Sequence, residues 1–202
     1  MTTELLDRLN RVRFFRRTSF IGGQHQFCSI WFSDWTPFGA FTWTAEDKSG
    51  NSYDIEITYT TEPVIITSST PALPNFDIEL FFRPPQVRII HLSEFVNIGQ
   101  EIDRPTLVVL ADTNVTTSID GWIDHTVQAY YLIPVQPNIS ADLKLDYHKR
   151  QLKHFKEWMD KAYIFIARLL HRPLYTENDE KRLITGDFYA IEATLNFKEF
   201  II

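Results

Sequence analysis

The sequence is poor in cysteine, with Cys28 as the single one among 202 residues. No disulfide can form within the chain, and we expect a reducing compartment. His25 precedes Cys28 at a spacing found among zinc ligands, but a structural zinc site needs four ligands and no second cysteine pair exists. The sequence therefore predicts no metal site and no cofactor.

Long hydrophobic runs are also missing. The longest unbroken one, from Ala162 to Ala167, is far shorter than the roughly 20 residues that a membrane-spanning helix needs. The first six residues contain acid and threonine and no apolar run, so no signal peptide is expected. We expect a soluble chain, synthesised in the cytoplasm, with no membrane span.

Glycine is scarce, with seven in the chain, and none forms a recognisable catalytic motif. Gly22 and Gly23 mark a turn, but no Lys-Ser or Lys-Thr follows them as in a phosphate-binding loop. No glycine-flanked nucleophile elbow is found either. The chain is therefore predicted not to be an enzyme, and a small hydrolase with a scattered site, for example at His25, His125 or Asp124, remains an alternative.

Acidic side chains recur two residues apart, as in Asp54 with Glu56 and Asp77 with Glu79. On a strand such pairs share one face about 7 Å apart, a spacing that overlaps the range of glycosidase carboxylates. The same pattern is typical of any solvated acidic sheet, and we interpret it in that way.

Charge is unevenly distributed along the chain, whose net charge is −6. Residues 1–17 carry +3, residues 18–139 carry −10 and residues 140–202 carry +1. The acidic middle makes sequence-specific nucleic-acid binding improbable, because phosphate contacts need Lys and Arg. Residues 1–17 are predicted to form a short basic amphipathic helix, with Leu5, Leu6 and Leu9 on its apolar side.

Aromatic residues are abundant, and many alternate with polar ones. Sixteen Phe and five Trp are present, and the alternation predicts a hairpin from residues 41–45 and 53–59, a strand over 76–82 and a last strand over 189–197. Polar residues occupy the alternate positions, which indicates a mostly antiparallel sheet with one packed and one wet face.

A heptad-like apolar seam from Leu145 to Leu169 predicts one long helix over residues 140–172. Ser140 is a suitable N-cap, and Pro173 would end the helix. We therefore expect a single α+β domain over residues 1–202, in which a mostly antiparallel sheet packs against this C-terminal helix and a short N-terminal helix lies over residues 1–17.

The second half of the predicted helix is apolar nearly all round, since Trp158, Phe165 and Leu170 lie off its seam. One sheet covers one face, so the remainder would need a neighbouring subunit. The basic N-terminus and the apolar C-terminus are further candidate contacts. The predicted interface residues are Arg8, Arg11, Arg13, Arg16, Arg17, Trp158, Phe165, Leu170, Phe200 and Ile202.

This layout, with a one-sided sheet, a dominant helix over 140–172 and a C-terminal strand over 188–202, resembles the neck and tail-completion or tail-terminator proteins of tailed bacteriophages. The resemblance rests on the order of the elements and includes no sequence motif. It implies a non-enzymatic, ring-forming homo-oligomer that contacts other structural proteins of a virion.

An adaptor or carbohydrate-binding module is a second alternative to this assembly role. It would use the aromatic hairpin, with Trp31, Trp35, Phe38 and Trp43 as a stacking platform.

Overall fold

The structure is a computed structural model that describes residues 2–27, 42–58, 65–95, 98–134, 141–173 and 188–200. These residues form two compact units. The barrel unit comprises Val12–Pro84 and Asn138–His154, and the sheet unit comprises Met1–Arg11, Pro85–Pro137 and Phe155–Ile202. The single-domain organisation stays a prediction, and each unit is described by itself.

The barrel unit is built on six antiparallel strands that close on themselves in the order β1-β2-β5-β4-β3-β6. They are β1 (Phe14–Ile21), β2 (Gln24–Phe27), β3 (Thr42–Glu46), β4 (Ser52–Thr58), β5 (Ile65–Thr70) and β6 (Ile78–Phe82). Closure occurs at β6, which pairs with β1 on one side and with β3 on the other.

Alternation along the strands fills the barrel interior. Phe14, Ala45 and Phe82 are fully buried and stand opposite one another across β1, β3 and β6. The predicted hairpin over residues 41–45 and 53–59 is confirmed where it is described, since Trp43 pairs with Ile55. The strand predicted over residues 76–82 begins only at Ile78.

Asp47 organises the loop of this hairpin. Its Oδ1 accepts hydrogen bonds from the backbone N–H groups of Ser49 (2.8 Å) and Asn51 (2.9 Å), and its Oδ2 accepts from the Asn51 amide (2.8 Å) and the Tyr53 hydroxyl (3.1 Å). The side-chain hydrogen bond from Asn51, more than any other, holds the pKa of Asp47 below its ordinary value.

The sheet unit contains a six-stranded sheet in which β11, β12, β10, β8 and β7 are adjacent in that order, and β9 pairs with β10. β7 and β8 are parallel and the other pairs are antiparallel. The strands are β7 (Gln86–Ile90), β8 (Thr106–Leu110), β9 (Val115–Ile119), β10 (Trp122–Pro134), β11 (Phe165–Pro173) and β12 (Phe188–Phe200).

In the described ranges, three helices accompany the strands: α1 (Thr2–Arg11), α2 (Leu92–Phe95) and α3 (Ala141–Lys161). Short 3-10 turns lie at Ile98–Glu101 and Ala111–Thr113. In the sheet unit, Phe95, Ile98 and Ile102 form a core with residues of β8, β10 and β12. Among the described residues, no helix is long and apolar enough to cross a membrane.

Tyr131 of β10 marks a second core of the sheet unit, on the other face of the sheet. It stacks on Phe155 of α3 and meets Trp158 edge-on. The Trp158 indole N–H donates to the carbonyl of Leu9 in α1 at 3.0 Å. Both helices therefore cover this face with fully buried side chains.

The predicted fold class was wrong. Among the described residues the chain is mostly β, with a closed barrel and a second sheet, and the long C-terminal helix expected over residues 140–172 is not formed. The predicted helix over residues 140–172 is two elements, α3 and β11, separated at Tyr163.

The break has a local cause. The Ile164 N–H donates to the Met159 carbonyl and the Tyr163 N–H to the Asp160 carbonyl, which is the Schellman arrangement of a helix end. Tyr163 itself has φ +56°. The apolar residues after Tyr163, predicted to surround a helix, instead belong to an extended strand.

The predicted N-terminal helix over residues 1–17 was also too long. α1 ends at Arg11, and β1 begins at Phe14. Arg16 and Arg17 consequently lie on a barrel strand, where neighbouring side chains point to opposite faces.

Candidate functional site

Among the described residues of the sheet unit, four aromatic side chains are exposed, and two of them are in contact at one end of the sheet. Trp122 begins β10 and Phe200 ends β12, and as cross-strand partners they bring their ring centroids to 4.7 Å. Tyr163 and Phe165 lie at the start of β11 and are 85% and 69% exposed. We call Trp122, Tyr163, Phe165 and Phe200 the aromatic end.

Polar side chains occupy the sheet face between these rings. Asp124 and Lys198 are the next cross-strand pair on the same face, with Oδ1 and Nζ 3.6 Å apart. Thr126 and Asn196 form the following row, and Phe165 pairs with Asn196 from the other side. The Asn196 Oδ1 is buried and accepts no hydrogen bond from the part of the chain that the structure describes.

A groove of about 580 Å³ opens beside these rows, and we call it the Tyr163 groove. Its volume falls in the range of small-molecule sites. It is lined by Arg8, Asp124, His125, Thr126, Tyr163, Phe165, Asn196, Phe197 and Lys198.

Arg8 reaches this groove from α1. Its guanidinium donates to the Lys198 backbone carbonyl, at a part of β12 that extends beyond its pairing with β11. Its Nε also donates to Glu4 at 2.6 Å, and the guanidinium carbon lies 5.9 Å from the Phe197 ring centroid. The interactions position Arg8 and neutralise its charge within the chain.

His125 is buried beneath the groove and held on both ring nitrogens. Nε2 lies 2.9 Å from Glu199 Oε2, and Nδ1 lies 3.3 Å from Asn114 Oδ1. The ring stacks on Phe197 with centroids 4.7 Å apart. A general base needs a ring nitrogen that faces the substrate, so these contacts favour a structural role for His125.

His25, the other histidine considered for chemistry, belongs to the barrel unit. Its Nε2 donates to the Pro74 carbonyl at 2.8 Å, and its Nδ1 lies 2.9 Å from the Thr18 hydroxyl. Cys28, with which a zinc spacing was noted, lies outside the described residues. The described part of the chain contains no cluster of three potential metal ligands.

The five predicted interface arginines do not share one helix face. Arg8 and Arg11 lie on α1, where Arg11 pairs with Asp7 at 3.1 Å. Arg13 donates to the Val12 carbonyl ahead of β1. On β1, Arg16 is buried, whereas Arg17 is exposed and lies 3.9 Å from Asp77. Arg8 and Arg11 thus belong to the sheet unit, and Arg13, Arg16 and Arg17 belong to the barrel unit.

The predicted apolar interface residues also differ in exposure. Trp158 is fully buried and needs no cover from a second chain. Leu170 is half-buried, and Phe165 and Phe200 are exposed. Ile202 lies outside the described residues. Phe165 and Phe200 therefore remain the candidates for an external contact.

The acidic pairs of the barrel unit have hydrogen-bond or ionic partners. Asp54 accepts from Thr44 (2.9 Å) and Glu56 from Ser68 (2.8 Å). The second pair behaves alike, since Asp77 accepts from the Phe20 N–H and Glu79 pairs with Lys48. This arrangement agrees with the interpretation as a solvated sheet.

Trp43 is the described residue of the predicted aromatic platform, and it is not available for stacking on a ligand. Trp43 is 6% exposed and lies in the barrel interior. Trp31, Trp35 and Phe38 lie outside the described residues. The exposed rings of the described residues are Phe76 of the barrel unit and those of the aromatic end, of which the sequence interpretation singled out only Phe165 and Phe200.

Replacing Tyr163 by glycine is expected to raise the free energy of unfolding by about 1 kcal/mol. A bulky residue in the left-handed region costs about 1–2 kcal/mol, and glycine adopts this conformation freely. The ring is 85% exposed, so little burial is lost. Urea denaturation measures the change.

Tyr163→Ala is the control, because alanine keeps the backbone penalty that glycine removes. If the glycine and alanine variants were equally stable, the backbone at Tyr163 would not be strained.

No family model, curated protein or solved structure matches this chain.

Proposed function

We propose that this chain is a non-enzymatic structural assembly protein, a ring-forming neck or tail component of a phage-like particle. The observation that supports this is the outer edge of β11. β11 is the last strand of its sheet, and no strand among the described residues pairs with its outer side.

The β11 edge has the properties of a pairing surface. An edge strand presents a row of unpaired N–H and C=O groups that can template a strand from another chain. β11 is nine residues long and carries Phe165, Ile166, Leu169 and Leu170. Such a length exceeds what natural proteins usually leave at an unprotected edge.

A ring places a further condition on this edge. Closed rings need heterologous contacts, in which two different surfaces meet. The β11 edge of one copy would therefore contact another surface of its neighbour. Phe165 and Phe200, both in the predicted interface, are exposed in the same unit and would add apolar area. In this role the protein would reside in the virion.

Ala167→Pro is expected to convert the oligomer into monomers of 23.7 kDa. Ala167 is exposed and lies in a β-bulge without a register partner on β12, so proline there spares the internal ladder. Proline removes an N–H donor and crowds an incoming strand. Light scattering at low and high salt, alone and with candidate virion proteins, measures the mass.

Ala72→Pro is the matched control, since Ala72 is also exposed but lies in a loop of the barrel unit. It should leave the mass unchanged, and circular dichroism checks that both variants fold. A wild-type chain that stays monomeric in every mixture, or an Ala167→Pro variant that still assembles, contradicts the proposal.

A further inference from the structure

We propose that the Tyr163 groove binds a neutral saccharide. This site shares Phe165 and Phe200 with the proposed assembly contact but uses side chains of the sheet face and not the backbone edge of β11, and its function does not depend on assembly. Three observations support it: a strained, exposed aromatic residue, adjacent hydrogen-bond donors and acceptors, and a lining whose charges are already paired.

The Tyr163 side chain is exposed to solvent while its backbone is strained. It adopts φ +56° in a helix-ending position that glycine usually occupies, and it remains 85% exposed. A bulky residue in this conformation is a strain typical of functional sites. Together with Phe165, Tyr163 provides the groove with ring faces on which the C–H groups of a sugar can stack.

The polar rows beside the rings suit hydroxyl groups. Asp124 accepts and Lys198 donates, and their 3.6 Å separation places an acceptor beside a donor for two neighbouring hydroxyls. Asn196 lines the groove and has an amide oxygen without a donor in the described residues. A third row, Trp122 with Phe200, lies about 7 Å beyond the Asp124 row and extends the face for a short oligosaccharide.

The charges around the groove favour an uncharged ligand. Arg8 is paired with Glu4 (2.6 Å) and Asp124 with Lys198 (3.6 Å). An anion would have to displace carboxylates from the basic groups, and a cation would have to displace the basic groups. A polyhydroxyl ligand without charge needs neither exchange, because hydroxyls hydrogen-bond to ion pairs while leaving them intact.

The test is a titration of the ¹⁵N-labelled full chain with maltotriose, cellotriose and triacetylchitotriose, followed by amide chemical shifts. At least one of these should shift amides confined to residues 122–126, 163–166 and 196–200. We expect a Kd in the millimolar range. A saccharide concentration of about ten times the Kd is then enough to saturate the site. The affinity should not change with salt, since no charge is neutralised.

Tyr163→Gly should weaken binding about tenfold, the loss that corresponds to one stacking ring. This variant is expected to fold better than the wild type, so lost binding is not lost structure. Phe76→Ala is the control: Phe76 is 63% exposed but belongs to the barrel unit, and its removal should leave the affinity unchanged.

Three results would each overturn the proposal. They are the absence of shifts with all three saccharides, an affinity unchanged in Tyr163→Gly, and an affinity that falls with salt, which would indicate a charged ligand. The monomeric Ala167→Pro variant keeps Tyr163, Phe165 and Phe200 and should bind the saccharide. Failure of the assembly proposal therefore leaves this result unaffected.

Discussion

Trp158→Ala is expected to lower the free energy of unfolding by about 3–5 kcal/mol, the usual loss for deleting a large buried ring. Trp158 is fully buried in the sheet unit, where it meets Tyr131 edge-on with centroids 6.2 Å apart. Its indole N–H also donates to the Leu9 carbonyl at 3.0 Å. Urea denaturation, with tryptophan fluorescence and circular dichroism as probes, measures the change.

Two further variants separate the contributions. Trp158→Phe keeps most of the ring but leaves the Leu9 carbonyl without its donor, at an expected cost of about 1–3 kcal/mol. Trp122→Ala removes the same side chain from a 43% exposed position and should cost about 1 kcal/mol. If the Trp158→Ala loss depended on protein concentration, Trp158 would belong to a subunit interface and not to the core of its own chain.

The sequence predicted individual strands better than their arrangement. Alternation identified β3, β4 and the last strand, because a half-buried strand requires a period of two. Alternation does not identify a strand's partner. Pairing of β6 with both β1 and β3, which closes the barrel, and the parallel pair of β7 with β8 depend on contacts between residues distant in the chain.

The largest error has a specific cause at Tyr163. The sequence there contains neither the glycine that usually marks a helix end nor a proline, so the apolar spacing seemed to continue into Ile166 and Leu169. The run from Tyr163 to Ala167, however, is rich in aromatic and β-branched residues, which favour strands. That composition could have indicated β11, and it also explains why the supposed helix seemed apolar on every side.

The candidate site was predicted only in part. Phe165 and Phe200 were expected at an interface, and both are exposed. Trp122 was not singled out, and Asp124 was considered only for the hydrolase alternative, since both join the site through the cross-strand register of β10 with β12. The alternation of Trp122, Asp124 and Thr126 was a usable signal, but its meaning depended on knowing which strand lies beside it.

Phe82→Ala in β6 is expected to cost about 3–5 kcal/mol, because a fully buried ring is lost from the barrel interior. Phe82 stands opposite Phe14 of β1 and Ala45 of β3, and its ring centroid lies 6.1 Å from that of Phe27 in β2. The Phe82 side chain thus stabilises the barrel at the place where β6 pairs with both β1 and β3. Urea denaturation measures the loss, and amide hydrogen exchange should show weakened protection in β1 and β3.

Phe81→Ala provides a matched control on the same strand. Phe81 is the preceding residue, it is half-buried, and it points to the opposite face, where its ring lies 5.5 Å from that of Phe15. Its removal should cost about 1 kcal/mol, since less apolar area leaves a packed environment. A closed barrel requires the two faces of β6 to differ in this way. Equal losses from Phe81→Ala and Phe82→Ala would mean that β6 has no enclosed side, and that the six strands form an open sheet.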